Sequence, residues 1–245
     1  MINDLMLLAG VDIPFIEAQI AIHQPTLKEI SMIGEESFYT GCGVLNFSKD
    51  NLSPEDRINL VDVSNFEILM SILAGNHLDV RQNKVCALMV LSLLFPGYDI
   101  KFSLKEITLQ KEDEIRSINS ENFERFKEIL TAMFCLKGRG SEEHPEYNPG
   151  GKYAKEIADK IAKGRQKVAE QKGEQKISIL SLFASIVAVG QQQDLNEVLN
   201  YTVYQLFDQY DRFELREAND MYFRAQLAGA RDLKEIDNWR KNIHP

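Results

Sequence analysis

Few residues in this chain are spaced for chemistry. The run Asn148, Pro149, Gly150, Gly151, Lys152, Tyr153 sets glycines ahead of a lysine, as a loop that cradles phosphate on its backbone amides would. Such a loop needs a further glycine where this chain has Glu146 and a Ser or Thr where it has Tyr153, and no strand immediately precedes it. The run therefore reads as a turn that launches a helix. His23, His77, His144 and His244 share no spacing with one another or with acids that would mark a metal site. His23 is expected on the exposed polar face of a strand, beside Gln24. No nucleophile elbow occurs, and no cysteine has a histidine on the same element. Cys42, Cys86 and Cys135 are scattered through apolar helices and read as small buried hydrophobes in a reducing compartment. The expectation is a protein that is not an enzyme, with no catalytic residue, metal or cofactor.

Two stretches could bind a partner instead. From Lys152 to Lys176 there are eight basic and four acidic residues, on a helix expected over about 152–172 with a thin seam of Tyr153, Ile157, Ile161 and Val168. Lys155, Lys163, Arg165 and Lys167 could neutralise phosphates, but Glu156, Asp159 and Glu170 are interspersed among them and stacking aromatics are scarce. A solvated or protein-facing helix is the better reading, with nucleic acid unlikely as a ligand. The second stretch carries Tyr201, Tyr204, Phe207, Tyr210, Phe213, Tyr222 and Phe223 on one long helix. Its aromatics fall on more than one face, more than a single buried stripe needs. The partner-binding surface expected from this pattern is Tyr204, Phe207, Tyr210, Phe213 and Trp239, rimmed by Lys155, Arg165 and Lys167.

The elements that would position these residues follow from periodicity. Ile16, Ala18, Ile20 and Ile22 alternate with other residues as in a half-buried strand closed by Pro25. Thr26 and Glu29 stand at capping-box spacing and open a helix with Leu27, Ile30, Ile33 and Phe38 on one face, ending near Gly41 or Gly43. Ser53, Pro54 and Asp56 mark another helix start, and apolar helices follow near 65–74 and 83–95, the second apolar on nearly every side and so expected at the centre. After Pro96 and Gly97 the period becomes two: Ile100 and Phe102, then Ile107 and Leu109, then a short run from Glu114 to Ile118 predict an antiparallel meander. Ser120 is expected to cap a helix with Phe123, Phe126 or Lys127, Ile129, Leu130 and Met133 inward.

Glycines, prolines and charges over 139–151 read as a linker. Beyond the basic helix, Ile177 to Val189 is an apolar helix that must be covered, too short to span a bilayer. Asp194 then caps the longest helix, expected to run to about Gly229 with Leu195, Val198, Leu199, Thr202, Leu206, Tyr210 and Phe213 as its core stripe. Asp208, Asp211, Glu214, Glu217 and Asp220 make it acidic, so it could pair with a basic helix within the fold or in another copy. Asp232 and Glu235 open a last turn. The tetrapeptide Leu-Lys-Glu-Ile occurs at Leu27, Leu104 and Leu233 in unrelated contexts, which is coincidence rather than a repeat.

With 245 residues, 44% of them hydrophobic and 27% charged, the chain can bury a sizeable core, and a net charge of −9 argues against general affinity for nucleic acid. The start of the chain lacks a basic segment ahead of its apolar patch and does not read as a signal peptide. The fold class expected is α+β, mostly α: a mixed domain over 1–138 with helices and a small antiparallel sheet, a linker over 139–151, and a long-helix bundle over 152–245.

Several of these stretches together carry a resemblance. The segment from Asn148 to Glu174, the apolar helix after it, the run LNYTVYQLFDQYDRF, the ending LAGARDLKEIDNWRKNIH and the earlier IHQPTLKEISMIGEESFYTG resemble proteins encoded in the tail-gene region of long-tailed phages and prophages of Gram-positive bacteria. The resemblance implies a tail-morphogenesis protein of the host bacterial cytoplasm. In that family a tail assembly chaperone binds the tape-measure protein, and its possible partners include the tail-tube protein and a second copy of itself. A structural tail or baseplate component of the virion is the alternative, and a host-interaction or nucleic-acid-binding protein a third.

Overall fold

The structure is a computed structural model and describes residues 2–49, 63–74, 78–103, 105–136, 178–179, 181–183, 186 and 194–229. The linker, the basic helix with Lys155, Arg165 and Lys167, the helix start at Ser53, and Trp239 with the last turn lie outside the described residues.

The chain opens with α1 (Asp4–Ala9), capped by Asn3, whose side chain accepts from the Leu5 N–H. A hairpin follows, β1 (Ile13–Phe15) and β2 (Ile20–Ile22), paired Ile13 to Ile22 and Phe15 to Ile20 around a single 3-10 turn at Ile16–Ala18. One continuous strand is expected from the alternation, but the alternation crosses a chain reversal. Gln19 takes a left-handed conformation at φ 53, Ile13, Phe15 and Ile22 point inward, and Ile16 is exposed. His23 is not a free surface histidine either. Its ring sits between Asp12, 2.9 Å from Nδ1, and Glu29, 3.4 Å from Nε2. Gln24 is buried, and its amide donates to the carbonyls of Met6 and Val11, fastening the exit of α1 to the end of the hairpin.

Helix α2 (Leu27–Ile33) begins with the expected capping box: the Glu29 N–H donates to the Thr26 hydroxyl, and the Thr26 N–H donates to the Glu29 carboxylate at 2.8 Å. The single helix expected here is two, because Gly34 at φ 82, ψ 147 breaks the path before α3 (Glu35–Leu45). Nor do Gly41 and Gly43 end α3. Gly41 faces α5 (Leu78–Leu94) so closely that a Cβ there would run into the Cys86 carbonyl oxygen and lie 2.6 Å from Val90 Cγ2. Between them in sequence, α4 (Asn65–Ala74) is opened by reciprocal hydrogen bonds between Ser64 and Glu67. Helix α5 is not covered all round: Cys86, Ala87, Val90, Leu91 and Leu94 are buried, while Val85, Leu88 and Met89 are exposed on the side away from α3.

The meander is as the alternation predicts: β3 (Asp99–Phe102), β4 (Glu106–Lys111) and β5 (Glu114–Asn119), in that order and antiparallel. Ile107, Leu109 and Ile118 are fully buried, and the opposite face carries polar groups such as Lys101, paired with Asp99. Helix α6 (Phe123–Met133) buries Phe123, Phe126, Lys127, Ile129, Leu130 and Met133. Ser120 does not cap it. Asn122 precedes it, and its side chain accepts from the Asn119 N–H and donates to the Ser117 carbonyl, which ties the end of β5 to the helix start. Phe126 lies 6.0 Å from Phe15 and 6.3 Å from Phe95, so one ring joins the hairpin, the residue just past α5, and α6.

Ile179, Leu182 and Ile186 enter the same core, and the Ile179 N–H donates to Glu35. Asp194 caps a helix, as expected, but it is the short α7 (Leu195–Leu199), and Leu195 is exposed rather than in the core stripe. The long helix restarts as α8 (Val203–Leu227), with Gly229 just past its end. The interruption has a cause. Thr202 forms a second capping box with Gln205 and a β-bridge with Thr26, and the Leu27 N–H donates to the Tyr201 carbonyl at 2.8 Å. The fold is α+β and mostly helical, with two small antiparallel sheets and a long C-terminal helix.

Two substitutions test this account. Gly41→Ala forces a methyl against the α5 backbone, which cannot swing aside as a side chain would, so it should cost about 1–3 kcal/mol, read as a lower urea midpoint at unchanged m-value. Burial works against the charge on Glu29, yet hydrogen bonds from the Thr26 N–H and hydroxyl, followed by His23, outweigh it and hold the carboxyl below its ordinary range. A depressed carboxyl stabilises fully above its unfolded pKa, about 4.3 for Glu, and that contribution is lost as pH falls through the folded value. Gln205 performs the same capping task as an amide at Thr202. Glu29→Gln should therefore keep the cap at neutral pH and flatten the loss of stability below about pH 4.3, measured by denaturant titrations across pH.

Candidate partner-binding surface on the C-terminal helix

The surface is built on α8, whose first turns are fixed before its later ones are free to project. Gln205, already engaged with the Thr202 backbone, also donates from Nε2 to the Leu8 carbonyl at 2.7 Å, so the start of α8 is held by α1 as well as α2. Val203 and Leu206 are fully buried. Tyr204, expected on the partner-facing surface, is only 4% exposed and belongs to the core. Burial, with Asp4 and Asp208 nearby, pushes its hydroxyl up to about 12.

Asp208 is buried one turn on and meets Arg212 in two parallel contacts, Nε to Oδ2 at 2.8 Å and Nη2 to Oδ1 at 3.1 Å. A bidentate guanidinium satisfies a carboxylate that burial would otherwise penalise. Phe207 and Tyr210 are half-buried against the core, and the Tyr210 hydroxyl donates to Glu214 at 2.6 Å. Phe213 is half-buried, with the Arg216 guanidinium 5.6 Å from its ring centre. Of the expected surface, then, one residue is interior, three line the passage from core to solvent, and Trp239, Lys155, Arg165 and Lys167 lie outside the described residues.

Past Phe213 the helix changes character. Met221 is 70% exposed, Phe223 56% and Leu227 89%. Phe213, Phe223 and Leu227 fall within roughly a quarter of the circumference at 3.6 residues per turn. That gives a two-part helix: a rooted inner half and an outer half showing apolar side chains to solvent. Large aromatic and aliphatic side chains held on a rigid element are what interfaces use as anchors. Leu227 and Met221 are not legible from the spacing of aromatics, since their exposure depends on the point at which the core ends. The run of acidic residues beginning at Asp211 signals that point.

Among the described residues, no group of three or more His, Cys, Asp and Glu side chains could hold a metal, and no helix is long and apolar enough to cross a membrane. No curated protein and no solved structure matches the chain. Residues 172–244, the segment that contains α7 and α8, match the family model described as the YomV second domain, a phage-related family of Bacillus prophages.

Proposed function

We propose that this is a non-enzymatic phage tail-morphogenesis protein, a tail assembly chaperone that holds apolar helices of the tape-measure protein in solution until tail-tube subunits assemble around them. The observation that carries the reading is the outer half of α8, with Phe223 and Leu227 exposed on one side, inside the segment that matches a phage-related family. The resemblance of several stretches to tail-region proteins supports the same class. Physically, an apolar helix of a client gains most from a surface that is itself helical, rigid and apolar along one arc. Burying a Phe or a Leu side chain stabilises a complex by about 1.5–3 kcal/mol before the costs of association.

The test is co-expression with the tape-measure protein of the same phage, followed by light scattering on a sizing column. A soluble complex should elute, with the tape-measure protein insoluble when made alone. Phe223→Asp with Leu227→Asp should leave the helix content and unfolding midpoint unchanged and weaken the complex at least tenfold. Recovery of the protein as a stoichiometric part of purified phage particles would instead favour a structural tail or baseplate component.

A further inference from the structure

The exposed side of α5 is a second surface left open among the described residues, and its chemistry points to an occupant. Arg81, Lys84, Val85, Leu88, Met89 and Ser92 are exposed at positions i, i+3, i+4, i+7, i+8 and i+11, the spacing of one helix face. The face starts basic and continues apolar, in a chain whose net charge is −9. Lys84 extends over the ring of Phe102, 5.7 Å from its centre, which places its charge on the β3 side of the stripe.

The outer half of α8 carries the matching pattern with opposite sign. Glu214, Glu217 and Met221 are exposed and separated by three and four residues, as are Arg81, Lys84 and Leu88. Laid parallel and in register, the two faces bring Arg81 to Glu214, Lys84 to Glu217 and Leu88 to Met221, with Val85 and Met89 beside the last pair. Both faces are exposed in a single chain, so they do not satisfy each other within it. They also lie off the arc of Phe213, Phe223 and Leu227, so the pairing does not depend on client binding.

We infer that the α5 stripe is the docking site for the outer half of α8 from a second copy of this chain, fixed by opposite charges at its start and by Leu88 and Met221 beyond. Reciprocal exchange between two copies makes a twofold dimer in which each α5 stripe meets the partner's α8 and the two contacts are equivalent; without that reciprocity the contact is head-to-tail and propagates.

The experiment is a concentration series of the full chain by light scattering and sedimentation velocity, at low and high salt. The native chain should self-associate, less so in high salt. Arg81→Glu with Lys84→Glu should weaken association at least tenfold, and so should Glu214→Lys with Glu217→Lys. An equimolar mixture of these two variants should associate as the native chain does, since one contact of each exchanged pair is then native and the other reversed but complementary. If a reversed helix fails to fold by circular dichroism, Leu88→Asp and Met221→Asp test the same contact without touching the charges, and each should weaken association. A chain that stays monomeric up to about 1 mM, at the weak end of specific association, overturns the inference. So does association that the reversals leave unchanged, or a mixture that fails to restore it.

Discussion

The position of α8 depends on one small junction, where the first turns of α2 and α8 meet. Thr26 and Thr202 each cap a helix, each reciprocated by the side chain three residues on, and the two threonines form a β-bridge. A helix start leaves amide donors without intrahelical partners. Here two such starts are satisfied side by side, by Glu29 and Gln205, and the Leu27 amide is satisfied across the junction by the Tyr201 carbonyl. His23, placed between Asp12 and Glu29, and Gln205, reaching the Leu8 carbonyl, extend the fastening to the loop after α1 and to α1 itself. Residues from the start of the chain and from beyond residue 200 are thereby locked at one point.

The core shapes what is left outside. α3 and α5 approach closely because Gly41 presents no side chain, and a close approach commits the Cys86 and Val90 side of α5 to that contact. Val85, Leu88 and Met89 on its opposite side stay exposed, although they are as apolar as their buried neighbours. An apolar helix usually announces burial on all sides. When its tightest contact is made through a glycine on one face, the remainder is available for another molecule.

The capping box at Thr26, the three strands of the meander and the inward face of α6 are readable from sequence because each rests on contacts within a few residues or on a clean period. The interruptions are not. Thr202 fits the apolar stripe of a longer helix, and only its bridge to Thr26, far away in sequence, makes it a cap. The hairpin before His23 hides in an alternation that continues across its own turn, since Ile16 and Ile20 keep the period while the chain reverses at Gln19. Local pattern places Tyr204 at the surface on the same grounds, because it ranks aromatics by face, whereas burial depends on where the helix enters the core. Leu227 and Met221 escape the same pattern for the complementary reason, because exposure there follows from the core having ended.

One side of that outer half is half-buried, at Leu215, Ala218 and Tyr222, and the other is exposed, at Met221, Phe223 and Leu227; isolated helical segments of such length are marginal in water. Side chains along the whole of α8 add support within the helix. Asp208 with Arg212, Tyr210 with Glu214, Phe213 with Arg216 and Tyr222 with Gln226 form a ladder of contacts three or four residues apart along the helix. Each such contact is worth only about 0.2–0.5 kcal/mol, but together they keep the helix formed without consuming Met221, Phe223 or Leu227. A helix held by its own polar ladder keeps its apolar side chains ordered and available. A surface that is rigid before it binds loses less entropy on binding than one that must fold onto its partner. The polar residues of α8 thus serve the apolar ones, with carboxylates as the acceptors at Asp208 and Glu214 and a phenol at Tyr222.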